Sequence, residues 1–109
     1  NIHVVGDSQG TGQPKAGHIG NAEAKVCADA ILRLLNGMSP YGTPLTNSAC
    51  YSPISANTAS WLTIVYRYDA TTVTMQPVPG SLGQSTTPTT RSYTRMFQWA
   101  ENLFADTFS

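Results

Sequence analysis

Asp7 follows Gly6 at the end of the β-branched run Ile2-His3-Val4-Val5, and an ionised carboxylate at a strand end accepts two hydrogen bonds from neighbouring hydroxyls of a sugar-like or polyol chain. The same Asp can instead cap its own turn. Six residues further on, Gln13-Pro14-Lys15-Ala16-Gly17-His18 leads into an apolar-periodic stretch. A helix that starts there aims unpaired N–H groups and about half a positive charge at whatever lies in front of it. An electron-rich ring edge suits that place, and so does plain water with Lys15 as a surface cation. Cys50 falls between turn-rich sequence and a β-like run, where a thiol is either a redox partner or an ordinary loop cysteine. Cys27 sits mid-helix beside apolar residues and reads as structural. The two histidines, His3 and His18, have no Cys or carboxylate pattern around them, so no metal site is expected, and His18 reads as a first-turn hydrogen-bonding residue.

These residues need elements to hold them. The opening run predicts a strand, which places a chain end at Asn1 inside what we expect to be a longer polypeptide. Gly10, Gly12, Pro14 and Gly17 make the following segment a loop, without a Walker or dinucleotide fingerprint. From about Ile19 to Leu35 the residues Ile19, Ala22, Val26, Ala30, Ile31, Leu34 and Leu35 recur at helical spacing, with Glu23, Lys25, Asp29 and Arg33 off that face. Gly37 then supplies a stop. Residues 38–49 are turn-rich and are expected to wrap. Trp61–Tyr68 and Thr72–Val78 alternate as a hairpin joined at Asp69-Ala70-Thr71, and Cys50-Tyr51-Ser52 adds a third strand that Pro53 confines to an edge. Residues 79–88 read as loop. Thr90 to Phe108 carries Tyr93, Met96, Phe97, Ala100, Leu103, Phe104 and Phe108 on one stripe, with Trp99 on its flank, free to touch a neighbour or a ligand.

The chain has 109 residues, six Lys+Arg against six Asp+Glu and 11% charged residues, which suits one modest domain and gives no positive field for nucleic acid. No apolar run approaches the ~20 residues that cross a bilayer. No Ser/His/Asp order or glycosidase-type carboxylate pair stands out.

Taken together, Ile2-His3-Val4-Val5-Gly6-Asp7, Gln13-Pro14-Lys15-Ala16-Gly17-His18 and Asn21-Ala22-Glu23-Ala24-Lys25-Val26 resemble the last flavin-contacting stretch of the flavoprotein subunit of flavocytochrome c sulfide dehydrogenase. Asn47-Ser48-Ala49-Cys50-Tyr51-Ser52, the strand Val65-Tyr66-Arg67 and the ending from Trp99 to Phe108 extend the resemblance over essentially the whole chain. The resemblance implies an α+β fold with a small antiparallel sheet of about three strands and two main helices, the C-terminal fragment of a two-dinucleotide-binding-domain flavoprotein. Residues 1–37 would end the FAD-binding domain as strand, loop and helix. Residues 38–109 would form the C-terminal part that contacts flavin and faces a partner.

It also implies FAD as cofactor and sulfide as substrate. A c-type cytochrome subunit carrying the haem would be the electron acceptor, and the location would be periplasmic. Carried over residue by residue, Gly6 and Asp7 hold the ribityl chain and Lys15, Ala16, Gly17 and His18 lie at the flavin's pyrimidine edge. Cys50 forms a redox-active disulfide with a cysteine from the upstream part of the flavoprotein. Trp99 lies near the flavin on the side where electrons leave. The fragment alone is expected to be inactive. Two rival readings are a non-catalytic module that docks a cytochrome or a second copy, and a related flavin enzyme with another donor or a quinone acceptor.

Overall fold

The computed structural model describes residues 2–109; Asn1, read above as a chain end, lies outside them. Two helices and a small antiparallel sheet bear out the expected α+β class. Helix α1, Gly17–Leu35, begins two residues before the expected start and closes as the sequence suggests. Gly37 adopts φ +70°, the Gly37 N–H reaches the Leu34 carbonyl and the Met38 N–H reaches the Arg33 carbonyl, which completes a two-bond C-terminal cap. Arg33 Nε donates to Asp29 Oδ2 at 2.7 Å across one turn.

Strands β1 (Leu45–Pro53), β2 (Ala59–Asp69) and β3 (Thr74–Pro77) lie in the order β1-β2-β3, and the two-residue β4 (Gly83–Gln84) also pairs with β2. β1 is longer than Cys50-Tyr51-Ser52 and takes up part of the segment expected to wrap, with Leu45 opposite Arg67 and Pro53 opposite Ala59. It is an edge strand, as Pro53 requires. Beyond β3, the 78–89 segment keeps bonding to β2: Val78 and Ser81 serve Val65, Ser85 serves Trp61, and Thr89 exchanges both backbone bonds with Ala59. The loop expected at 79–88 therefore completes the far side of β2. Gly83 is required there, because a Cβ would stand 2.9 Å from Thr63 Oγ1 and 3.2 Å from the Trp61 ring. β3 starts two residues later than expected, since Asp69 accepts from the Thr71 N–H and the Thr72 hydroxyl and draws both into the turn.

The opening strand does not form. Ile2, Val4 and Val5 are exposed and Gly6–Ser8 is a 3-10 turn, because among the described residues no strand lies alongside to take their backbone hydrogen bonds.

Alternation along β1 and β2 sends Thr46, Ser48, Cys50, Ile64 and Tyr66 to one face and Asn47, Tyr51, Trp61 and Thr63 to the other. The first face carries α1 and a compact core of Ile19, Tyr66 and Met75 with Ala16, Ile64 and Tyr68 packed around it. The second carries α2, Thr90–Phe108, whose bounds match the expected ones and whose start is capped by Thr89 accepting from the Ser92 N–H at 3.0 Å. Only one flank of the expected apolar stripe of α2 packs inward, through Met96, Ala100 and Leu103; Phe97, Phe104 and Phe108 are exposed. The second half of the α1 stripe is likewise open at Leu34 and Leu35. With helices on two faces of a narrow sheet the molecule is drawn out, with a radius of gyration of 15.9 Å against about 13 Å for a compact domain of this length.

Candidate functional site

α1 starts without a side-chain cap. Ala16 is extended, the first helical bond runs from the Gly20 N–H to the Ala16 carbonyl, and the N–H groups before it point out of the helix end. Gly17 opens onto free space, where even a methyl group would meet nothing. Lys15 is exposed, and its ammonium group donates to the Gln9 carbonyl across the loop.

A buried polar network holds the loop in front of this helix end. Glu23 is buried, and its Oε2 accepts from the Gly6 N–H at 2.6 Å while Oε1 accepts from Gln13 Nε2 at 2.9 Å. Gln13, also buried, accepts from the Thr46 hydroxyl of β1 and donates to Thr11 Oγ1. Thr11 is bonded in turn to Gln9, and its carbonyl accepts from the Met75 N–H of β3 at 3.0 Å. Glu23 was expected off the apolar face of the helix; in the structure it occupies a core position. Its partners explain this: four residues after Ile19 it shares the sheet-facing side, and burial is tolerable because both oxygens accept. Gly6, at φ +72°, lies so close to the helix that a Cβ on Gly20 would stand 3.4 Å from its Cα. Asp7 follows on this turn with its side chain exposed. The one signal that could have found Glu23 is its place in the series 19, 22, 23, 26.

One stripe round, His18, Asn21 and Lys25 turn toward α2. His18 Nδ1 accepts the Ala49 N–H from the outer edge of β1 at 2.8 Å. Its ring meets Trp99 edge-on, with centroids 6.1 Å apart, and Trp99 also leans on Tyr51 at 5.7 Å. Asn21 and Lys25 both donate to Asp106 Oδ2, Lys25 at 2.6 Å, and Asn21 also donates to Thr107. The Lys25 hydrogen bond, with help from Asn21, holds the Asp106 carboxyl below its ordinary value. α1 and α2 thus lie on opposite faces of the sheet and clasp hands round the edge of β1.

Cys50 neighbours this clasp on the α1 face, half-buried, with its Sγ 3.6 Å from Ser48 Oγ. Trp99 belongs to the other face. The structure therefore gathers Ala16, Gly17, His18, Cys50 and Trp99 around one stretch of β1, and ties Gly6 to the same helix end through Glu23 and Gly20. Cys27 and Cys50 are both free, Cys27 lining a small cavity with His3, Val26 and Ala30. Among the described residues no group of three or more His, Cys, Asp or Glu could hold a metal ion, and no helix is long and apolar enough to cross a membrane.

Uncapped helix-end N–H groups and an exposed carboxylate on a neighbouring turn make a donor and acceptor set that suits electron-rich oxygens on one side and hydroxyls on the other. The family described as flavocytochrome c sulphide dehydrogenase, flavin-binding, matches residues 42–108. The chain belongs to this family. FAD is the cofactor consistent with it; residues 6–18 lie outside the matched stretch, and there the α1 end would offer donors for carbonyl oxygens and the exposed Asp7 an acceptor for hydroxyls.

Proposed function

We propose that this chain is the flavin-contacting C-terminal portion of a periplasmic flavoprotein that oxidises sulfide and passes the electrons through FAD to a c-type cytochrome subunit. The observation that carries the reading, beside family membership, is the uncapped α1 end standing next to the Glu23-anchored Gly6–Asp7 turn and the Ala49–Cys50 edge. Asp7 accepts hydrogen bonds from ribityl hydroxyls. The N–H groups of Gly17 and His18, with Lys15 and Ala16 beside them, meet the carbonyl-bearing pyrimidine edge and stabilise negative charge there. Trp99, braced by His18 and Tyr51, excludes water on the side that faces the cytochrome.

Cys50 is one half of a disulfide whose other cysteine belongs to the upstream part of the flavoprotein. Hydrosulfide attacks that disulfide: a new S–S bond forms to the incoming sulfur, the protein S–S bond breaks, the displaced sulfur leaves as a thiolate, and the hydrosulfide proton goes to water. FAD, when bound, supplies the two-electron acceptor that can release electrons singly to a haem.

The test is an anaerobic visible spectrum of the full flavoprotein with and without sulfide. Bleaching of the flavin band on adding sulfide is expected. A flavin band indifferent to sulfide would overturn the donor, and a protein that carries no flavin would overturn the site.

A further inference from the structure

On the α2 face, away from the α1 helix end, lies a cleft of about 570 Å³ between the first turns of α2 and the sheet. Tyr51 and Trp61, opposite each other in the β1–β2 register, form its floor. Arg91 and Arg95, one helical turn apart on α2, line it from above, and the Ser85–Thr89 segment closes one side. No Asp or Glu lines it. The ion pairs among the described residues are Lys25–Asp106 and Arg33–Asp29, so both cleft arginines, like Lys15 and Arg67, stand without a carboxylate. Ser85 Oγ accepts from the Trp61 N–H, which leaves its own proton to donate. The cleft therefore presents guanidinium and hydroxyl donors over two aromatic rings, in a chain of zero formal net charge.

We infer that this cleft binds a small doubly charged oxyanion of the sulfate, thiosulfate or phosphate type, held between Arg91 and Arg95. Two planar guanidinium forks match the oxygens of such an ion, and their places four residues apart put both on the same side of α2. The flanking Ser85 hydroxyl adds a neutral donor. The site lies away from the α1 helix end, and its floor residue Tyr51 also touches Trp99.

The experiment is an NMR titration of the isotope-labelled full flavoprotein with sodium sulfate and then with sodium thiosulfate, at constant ionic strength made up with sodium chloride. The indole N–H signal of Trp61 is the readout. A saturable shift in the millimolar range is expected with both dianions, weakened at least five-fold in Arg91→Gln and in Arg95→Gln and absent from the double variant. A shift that never saturates, that chloride reproduces, or that persists in the double variant overturns the proposal. Should a variant fail to fold, the comparison of sulfate with chloride on the unaltered protein decides the matter by itself.

Discussion

His18 Nδ1 accepts the Ala49 N–H at 2.8 Å, so the imidazole proton resides on Nε2 and a helix side chain completes the backbone bonding of an edge strand next to Cys50. Replacing His18 with Ala removes that acceptor and the edge contact to Trp99 together. A loss of roughly 1–2 kcal/mol in urea unfolding is expected, with a weaker near-UV circular dichroism signal from Trp99, and Asn should recover part of the stability through its carbonyl oxygen. An alanine variant with unchanged stability and an unchanged Trp99 signal would show that the contact is idle.

Glu23 touches no ligand in the site proposed above, yet it fixes the turn that carries Asp7. Glu23→Ala strands the Gly6 N–H and one Gln13 donor, which should cost about 3 kcal/mol and reduce the flavin retained through gel filtration. Glu23→Gln keeps one acceptor and should fall between. Full flavin retention in the alanine variant would separate the network from the cofactor.

Asp7 is exposed, so Asp7→Ala should leave stability within about 0.5 kcal/mol of the unaltered protein while weakening FAD binding. Equilibrium dialysis against free FAD measures the second effect. Retention equal to the parent would return Asp7 to the role of a turn residue.

Cys50→Ser should keep the flavin and lose its bleaching by sulfide, whereas Cys27→Ser should keep both. Cys27 lies at the cavity beside Val26 and Ala30 rather than at the β1 edge. Undiminished bleaching without the Cys50 thiol removes it from the chemistry.

The Asp106 carboxyl titrates below its ordinary value of 3.8, chiefly through the Lys25 hydrogen bond, so its contribution is present above that value and fades as pH falls through the lower folded one. Asp106→Asn should therefore lower the melting temperature slightly at neutral pH, and the gap should close in strong acid and narrow in high salt. A gap that widens on acidification would contradict the pairing.

Much of this architecture was legible before any coordinates. The α2 bounds follow from a long apolar stripe, and the α1 stop follows from Gly37, because both signals are local. The length of β1 was not legible: Thr46 and Ser48 read as turn residues until the strand beside them and the loop behind them are known, and their burial depends on both. The opening run failed for the converse reason, since Ile2-His3-Val4-Val5 has strand propensity but no neighbouring strand among the described residues. Within the site, the resemblance pointed to Gly6, Asp7 and Lys15 to His18 by their order in the chain, while Glu23 and Gln13 were missed because a buried polar network exists only in three dimensions.

β1 lies at the rim of the sheet, and such rims invite a second chain to zip alongside. Here the imidazole of His18 occupies the outward-facing Ala49 amide and Pro53 offers no amide at the far end. A foreign strand would have to displace the ring before it could pair, so the residue that braces Trp99 also guards the molecule against fibrous self-assembly.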